Sequence, residues 1–364
     1  MNTVPEISVI MSVYNGEDYL EEAIQSVMAQ TFSAWELIVI NDCSTDKTPE
    51  ILQRLAENDA RIKVHTNETN LRLPTSLNKA ISFAQGKYIA RMDADDICLP
   101  NRLEAQYAFM EQNPSVALSS CRFMTLKNGV VASGGCGGRC DDASIRALLL
   151  VTNPILHPGV IAKAEVMRAL GYDTTLTCTE DLELWTRFAM QGYKMQIQPQ
   201  YLMLYRLHDK QITETTKERQ RREVTGIQEK YYGKFLSVMD EAQAAFYIDG
   251  IYFRDNKNIG EFCDFCRRLR KENQKTKAFH RDALSYALFE ILAEYKRRGL
   301  AKGELLRALR MFSPAFLFKE IPARKRRARQ DGAECIAAAK TIGLVPCGGT
   351  PEFPVFQSST DRSE

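Results

Sequence analysis

The feature that most constrains the fold is a strand–helix alternation over the first hundred residues, repeating roughly every 25–30 residues. Ile7-Ser8-Val9-Ile10-Met11-Ser12-Val13 is β-rich and stops at Asn15-Gly16. Glu17 to Gln30 then carries a helical apolar rhythm through Leu20, Ile24, Val27 and Met28. Trp35 to Ile40 is nearly all apolar, as expected of a strand covered on both faces. Asn41-Asp42-Cys43-Ser44-Thr45-Asp46 is turn chemistry, and Thr48-Pro49 opens a helix to about Asn58. Arg61 to His65 reads as a strand, Leu73 to Ala84 as a helix, and Lys87 to Met92 as a strand that runs into Asp93-Ala94-Asp95-Asp96. Such alternation predicts an α/β fold, a mostly parallel open sheet with helices on both faces.

Further along, Val116 to Met124 and Tyr193 to Leu207 read as strands. Asp141 to Val151, Glu165 to Leu170 and Asp181 to Met190 read as helices. Ser133 to Gly138 is glycine-rich and is read as a flexible loop without a phosphate role. From Asp209 the pattern changes to charged helices, including Leu284 to Tyr295 and Glu304 to Met311. Residues 1–205 carry a net charge of −7 and residues 206–329 one of +12, so the two halves suit different tasks. The expected organisation is a catalytic domain at 1–212, a basic α-helical region at 213–345 and a disordered tail at 346–364.

No stretch reaches the roughly 20 apolar residues that span a bilayer, and Met1 to Glu6 lacks a basic segment before its apolar run. The expectation is a cytoplasmic protein. Ten cysteines are scattered through the chain, and free thiols are expected of them. Cys136 with Cys140, and Cys263 with Cys266, have zinc-like spacing but no histidine companions, so unpaired buried thiols are the preferred reading.

The chemistry concentrates in Asp93, Asp95 and Asp96. Ligands of open parallel sheets bind beyond the carboxyl ends of the strands, where this loop falls. Three carboxylates within four residues repel one another unless a cation sits among them, and hard oxygen ligands suit Mn²⁺ or Mg²⁺. The competing reading is helix capping, with Asp96 at the start of a helix near Pro100. Asp42 and Tyr14 follow other strands of the same rim, against the alternatives of an Asx-turn and of packing. Their convergence favours a site.

The chain resembles the family 2 inverting glycosyltransferases of the GT-A fold. The resemblance rests on Ser8 to Asn15, Gln30-Thr31-Phe32, Trp35 to Asp46, Ala84 to Asp96, Thr179-Glu180-Asp181 with Leu184-Trp185, and Tyr205 to Ile212. It covers about residues 5–212. It implies that Ser12, Tyr14, Asp42 and Arg72 hold the nucleotide. It also implies that Asp93 and Asp95 form the Asp-x-Asp motif, with Asp95 the direct ligand of Mn²⁺ or Mg²⁺ and Asp93 its partner on the nucleotide's ribose or on the metal. Asp181 matches the general base and Glu180 its neighbour near the acceptor, whereas the residues alone read as a capped helix start.

The implied activity is metal-dependent, inverting transfer from a nucleotide-diphospho-sugar, a UDP-sugar favoured, to an acceptor hydroxyl in cell-surface polysaccharide or glycolipid synthesis. His157 is read on the acceptor side and His208 near the diphosphate or metal, each against the alternative of a structural histidine. Trp185 is read as a packing anchor, with an aromatic platform for the acceptor as the alternative. Residues 311–329, apolar then basic, suit peripheral contact with the inner face of the plasma membrane and a lipid-linked acceptor, or else a solvated charge run. No nucleic-acid partner is expected, because an RNA-binding motif with aromatics is missing. The competing functions are a sugar nucleotidyltransferase, disfavoured by the acidic Glu17-Asp18 where a basic triphosphate loop belongs, and a non-enzymatic basic module.

Overall fold

The structure, a computed structural model, describes residues 4–134, 138–208, 217–237, 239, 241–253, 255, 258–350 and 353–358. The chain divides into two compact units. One comprises residues 1–138, 155–214 and 327–364 and holds the sheet. The other comprises residues 139–154 and 215–326.

The sheet unit begins as the alternation requires. Strands β1 (Ile7–Val13), β2 (Trp35–Asn41), β3 (Ile62–Thr66) and β4 (Tyr88–Arg91) lie parallel in the order β3-β2-β1-β4. All seven residues of β2 are buried, which a strand covered on both faces demands. Helix α1 (Leu20–Met28) buries Leu20, Ala23, Ile24 and Val27, the i, i+3, i+4, i+7 stripe. That stripe joins Val9, Met11 and Val13 from one face of β1, together with Leu52 and Leu55 of α2 (Thr48–Asn58). On the other face Ile10, Ile38 and Ile40 are fully buried, and α3 (Arg72–Phe83) packs on β1 and β2. Gly86 admits the chain into β4: a Cβ there would lie 2.6 Å from the Ser8 nitrogen.

Beyond β4 the sheet is mixed, which corrects the expectation of a mostly parallel one. Strands β5 (Ile97–Cys98), β6 (Val116–Lys127), β7 (Val130–Ser133), β8 (Ile161–Lys163) and β9 (Lys194–Arg206) complete most of it. The three-residue β8 pairs antiparallel with both β4 and β6, while β9 runs parallel to β6 and antiparallel to β5. A burial pattern marks a strand but carries no direction, and β5 and β8 are too short to show a period. Two strands, β10 (Leu344–Thr350) and β11 (Phe353–Ser358), extend the edge beyond β7 by backbone pairing. They occupy most of the segment read from composition as a disordered tail, and 359–364 lie outside the described residues. Cys136 and the 212/213 boundary also lie outside them.

The helical unit packs a single apolar cluster that includes Tyr232, Phe235, Phe262, Phe265, Leu288, Ile291 and Tyr295. Its helices include 217–236, 259–276, 281–297 and 302–309. Cys263 and Cys266 are buried free thiols within this cluster. A last helix, Pro314–Thr341, contains the basic run 324–329. Among the described residues no helix is long and apolar enough to cross a membrane.

Candidate active site

The site grows from the carboxyl ends of β1, β2 and β4. The loops after β1 and β2 are stitched together. Asn15 N–H donates to Ser44 Oγ at 2.9 Å, Thr45 N–H to Asn15 Oδ1 at 2.9 Å, and Gly16 N–H to Thr48 Oγ1 at 2.9 Å. Three residues of this rim, Asn15, Cys43 and Arg72, hold left-handed backbones with φ of 53°, 63° and 66°. Such conformations in non-glycine residues cluster where a binding surface imposes them.

Asp42 is 2% exposed. Its Oδ1 accepts from Asn67 Nδ2 at 2.7 Å and from Leu71 N–H at 2.8 Å. Asn67 in turn bonds Ser76 and accepts from Lys79. Asp42 is thereby fixed on one oxygen, and no bond to its Oδ2 forms among the described residues. Ser12 is half-buried at the end of β1, Tyr14 is exposed in the following loop, and Arg72 is exposed at the start of α3. Asn67 and Lys79 had drawn no attention as sequence, because only the fold brings them to Asp42.

After β4, Asp93, Asp95 and Asp96 each offer a carboxylate oxygen within 4.8 Å of the others. Asp93 accepts from the guanidinium of buried Arg91. Asp95 Oδ2 meets His208 Nε2 at 2.8 Å, and its carbonyl accepts from Arg206 Nε at 2.8 Å. Asp96 is fully buried, accepts from Arg206 N–H at 2.9 Å, and leaves Oδ2 without a partner among the described residues. It does not cap a helix. Helix α4 (Arg102–Gln112) starts later, with Asn101 at its N-cap, because β5 intervenes to pair with β9. Burial raises the pKa of Asp93 against the pull of Arg91, and burial with the charges of Asp93 and Asp95 raises that of Asp96 well above the carboxylate range. Crowded hard oxygens, one of them buried and unpartnered, are a donor set that fits a divalent cation.

The second half of the site comes from α5 (Glu180–Met190) and the turn 157–159. Glu180 is buried, and its Oε2 has no partner among the described residues. Burial first, then the neighbouring Asp181, push its pKa up to about 8. His157 Nδ1 lies 4.0 Å from Glu180 Oε1, and its Nε2 shares a 2.8 Å hydrogen bond with Tyr172 OH. Burial first, then the Arg91 charge, push the pKa of His157 well below its ordinary value. Asp181 is half-buried, and one oxygen accepts from Leu182 N–H at 2.7 Å. Trp185 is fully buried, edge-on to His157 at 5.8 Å, so it packs beneath the site and offers no platform to a ligand. Among the smaller influences on Glu180, the charge of Arg91 lowers its pKa and that of Asp93 raises it. Arg91, Tyr172 and Arg206 were missed as site residues, although Arg91 and Arg206 stand inside the motifs quoted above.

The sequence model of the family described as Glycosyl transferase family 2 matches residues 8–130. An uncharacterized glycosyltransferase of Methanocaldococcus jannaschii is 34% identical over 206 residues, 56% of this chain and 71% of that protein. WbnJ of Escherichia coli, an O-antigen biosynthesis glycosyltransferase, is 32% identical over 210 residues, 56% of this chain and 80% of its own. Among solved structures, S. aureus TarS 1–349 in complex with UDP-GlcNAc superposes with a TM-score of 0.54 at 16% identity, covering 82% of this chain and 93% of that one.

Proposed function

The chain belongs to the family 2 glycosyltransferases, with the GT-A fold, and from that premise we propose that it is a metal-dependent, inverting enzyme that takes a sugar from a UDP-sugar to an acceptor hydroxyl. The observation that carries this reading is that Asp42 and the Asp93/Asp95/Asp96 cluster follow the carboxyl ends of parallel strands β2 and β4, with the charge of Asp93 acting on Glu180. Preference for UDP is supported by the UDP-GlcNAc bound to TarS. A role in cell-surface polysaccharide or glycolipid synthesis is supported by the O-antigen assignment of WbnJ.

In this reading Tyr14, Ser12 and Asp42 take the base and ribose, with Arg72 reaching the nucleotide. Asp95 and Asp93 would hold Mn²⁺ or Mg²⁺, and Asp96 crowds the same site. When bound, the ion supplies positive charge against the departing diphosphate. Asp181 takes the proton of the acceptor hydroxyl as that oxygen bonds the anomeric carbon. The bond from that carbon to the diphosphate breaks, and its electron pair leaves with the phosphate oxygen. A single displacement inverts the anomeric centre and needs no covalent enzyme nucleophile.

The acceptor is read as lipid-linked or saccharide. Peripheral contact with the inner membrane face through 311–329 is supported by Phe318, 86% exposed, and by exposed Lys319, Lys325 and Arg326 on the same helix.

The test is thermal unfolding with UDP, UDP-glucose and UDP-GlcNAc, each with and without Mn²⁺. A cognate donor at 100 times its Kd stabilises by about 2.7 kcal/mol. The stabilisation should need the ion and should vanish in Asp95→Asn. Equal shifts with and without Mn²⁺ would overturn the metal assignment.

A further inference from the structure

One buried cation sits between the two halves of the site. Arg91 ends β4 opposite Ile10 and is 2% exposed. Its main chain is fixed on both sides. The Arg91 N–H donates to Val160 O at 2.9 Å, and its carbonyl accepts from Arg102 Nη2 at 2.7 Å. Arg102 is itself fully buried and bonded to Gln106 at 3.0 Å. The root of the Arg91 side chain therefore has no freedom to move.

The guanidinium donates to Asp93 through Nη1, while Nε finds no partner among the described residues. A buried arginine with one carboxylate bond and a bare nitrogen is a poor stabilising device. Taking it from water costs several kcal/mol, and an apolar side chain would fill the space at less cost. What the charge does reach is functional. It acts on Asp93 and Asp96 on the donor side, and on His157, Tyr172 and Glu180 on the acceptor side. His157 Nδ1 lies 4.0 Å from Glu180 Oε1, and the charges that act on Glu180 are those of Asp181 on its own helix, Asp93 and Arg91, with Arg91 the cation among them.

We propose that Arg91 is a positioning residue for both halves of the site: its guanidinium sets the Asp93 carboxylate on the donor side and supplies the positive charge that Glu180 faces on the acceptor side. The planar fork holds Asp93 by one oxygen in a defined orientation, which a lysine ammonium on a flexible stem does not reproduce. The charge acts over a longer range, and a lysine preserves it. Geometry and charge therefore separate by substitution. The inference rests on the glycosyltransferase reading for its donor half and stands without it for its acceptor half.

The experiment has two arms. In the first, calorimetry follows UDP binding in the presence of Mn²⁺ to wild type, Arg91→Lys and Arg91→Met. Both variants should bind about tenfold more weakly, because neither holds the Asp93 oxygen with a rigid, planar Nη1–H donor. In the second, melting temperatures are measured from pH 4 to 10 for Glu180→Gln in the wild-type, R91K and R91M backgrounds. Without the Arg91 charge the Glu180 carboxyl holds its proton to higher pH. The gain from E180Q should then grow above pH 8 in R91M and stay at its wild-type size in R91K. A merely structural arginine would lower every melting temperature without changing the size of the E180Q effect.

Wild-type affinity in both Arg91 variants overturns the donor half. An E180Q gain equal in all three backgrounds overturns the acceptor half. Failure of the wild type to bind UDP with Mn²⁺ counts against the assigned reaction, and the second arm still decides on the charge. Should R91M not fold, Arg91→Gln replaces it in both arms.

Discussion

At the residue scale the site separates into groups with distinct duties. On the proposed mechanism Asp181 takes the acceptor proton, so Asp181→Asn should fold normally and lose transfer by about 10²–10⁴-fold, measured as UDP release dependent on acceptor. A folded D181N that still transfers at the wild-type rate would remove it from that role. Glu180 behaves differently. Its folded-state pKa is raised from 4.5 to about 8, so the native protein keeps a proton that the unfolded chain releases. The stability this group allows is complete below pH 4.5 and falls away as pH climbs through about 8. Glu180→Gln, which cannot ionise, should therefore raise the melting temperature at pH 8–9 and leave it unchanged near pH 4. A gain of equal size at both pH values would mean that the buried carboxyl is not the cause. His157 and Tyr172 were the least legible members of this set. They meet across a turn and a helix, and nothing in the spacing of two separate side chains announces a shared hydrogen bond.

At the element scale the first four strands and three helices were legible because each has enough residues to display a period. Leu20, Ile24 and Val27 announce α1, and the unbroken apolar run from Leu37 announces β2. The mixed half was not legible. Its direction is decided by β8, three residues long, whose antiparallel pairing on both sides follows from the route of the chain and not from its side chains. The Asp96 cap failed for a related reason: two residues of β5 intervene and move the helix start to Arg102. One glycine tests the parallel half directly. Gly86→Ala places a methyl 2.6 Å from the Ser8 nitrogen and 2.8 Å from the Ile7 carbonyl carbon, both main-chain atoms that cannot rotate away. The substitution should cost about 3 kcal/mol in urea denaturation, at the upper end of overpacking penalties. A cost below about 0.5 kcal/mol would show that β1 and β4 can part more easily than their register implies.

At the scale of the whole molecule, charge and exposure point to a surface as well as to a pocket. The acidic first half holds the proposed donor site, and the basic second half carries a helix that shows Phe318 and Ile321 to solvent beside Lys319, Lys325 and Arg326. The full chain should sediment with vesicles rich in phosphatidylglycerol and stay in solution with neutral phosphatidylcholine vesicles. Phe318→Glu together with Lys325→Glu should abolish the difference, while UDP binding with Mn²⁺ is kept. Binding to both vesicle types alike would point away from headgroup charge. This surface was only half legible, since a run such as Ala323 to Arg329 reads equally well as a solvated face until neighbouring side chains are placed.

The left-handed backbones at Asn15, Cys43 and Arg72 leave a mark on how such a protein can change. Each is an L-residue in a conformation that glycine takes without strain. Glycine at Asn15 or Cys43 would relieve the backbone but remove a side chain that ties this rim together, since Asn15 Oδ1 accepts from Thr45 N–H and Cys43 Sγ donates to Glu68 O. Local strain and the cohesion of the rim thus compete at identifiable positions.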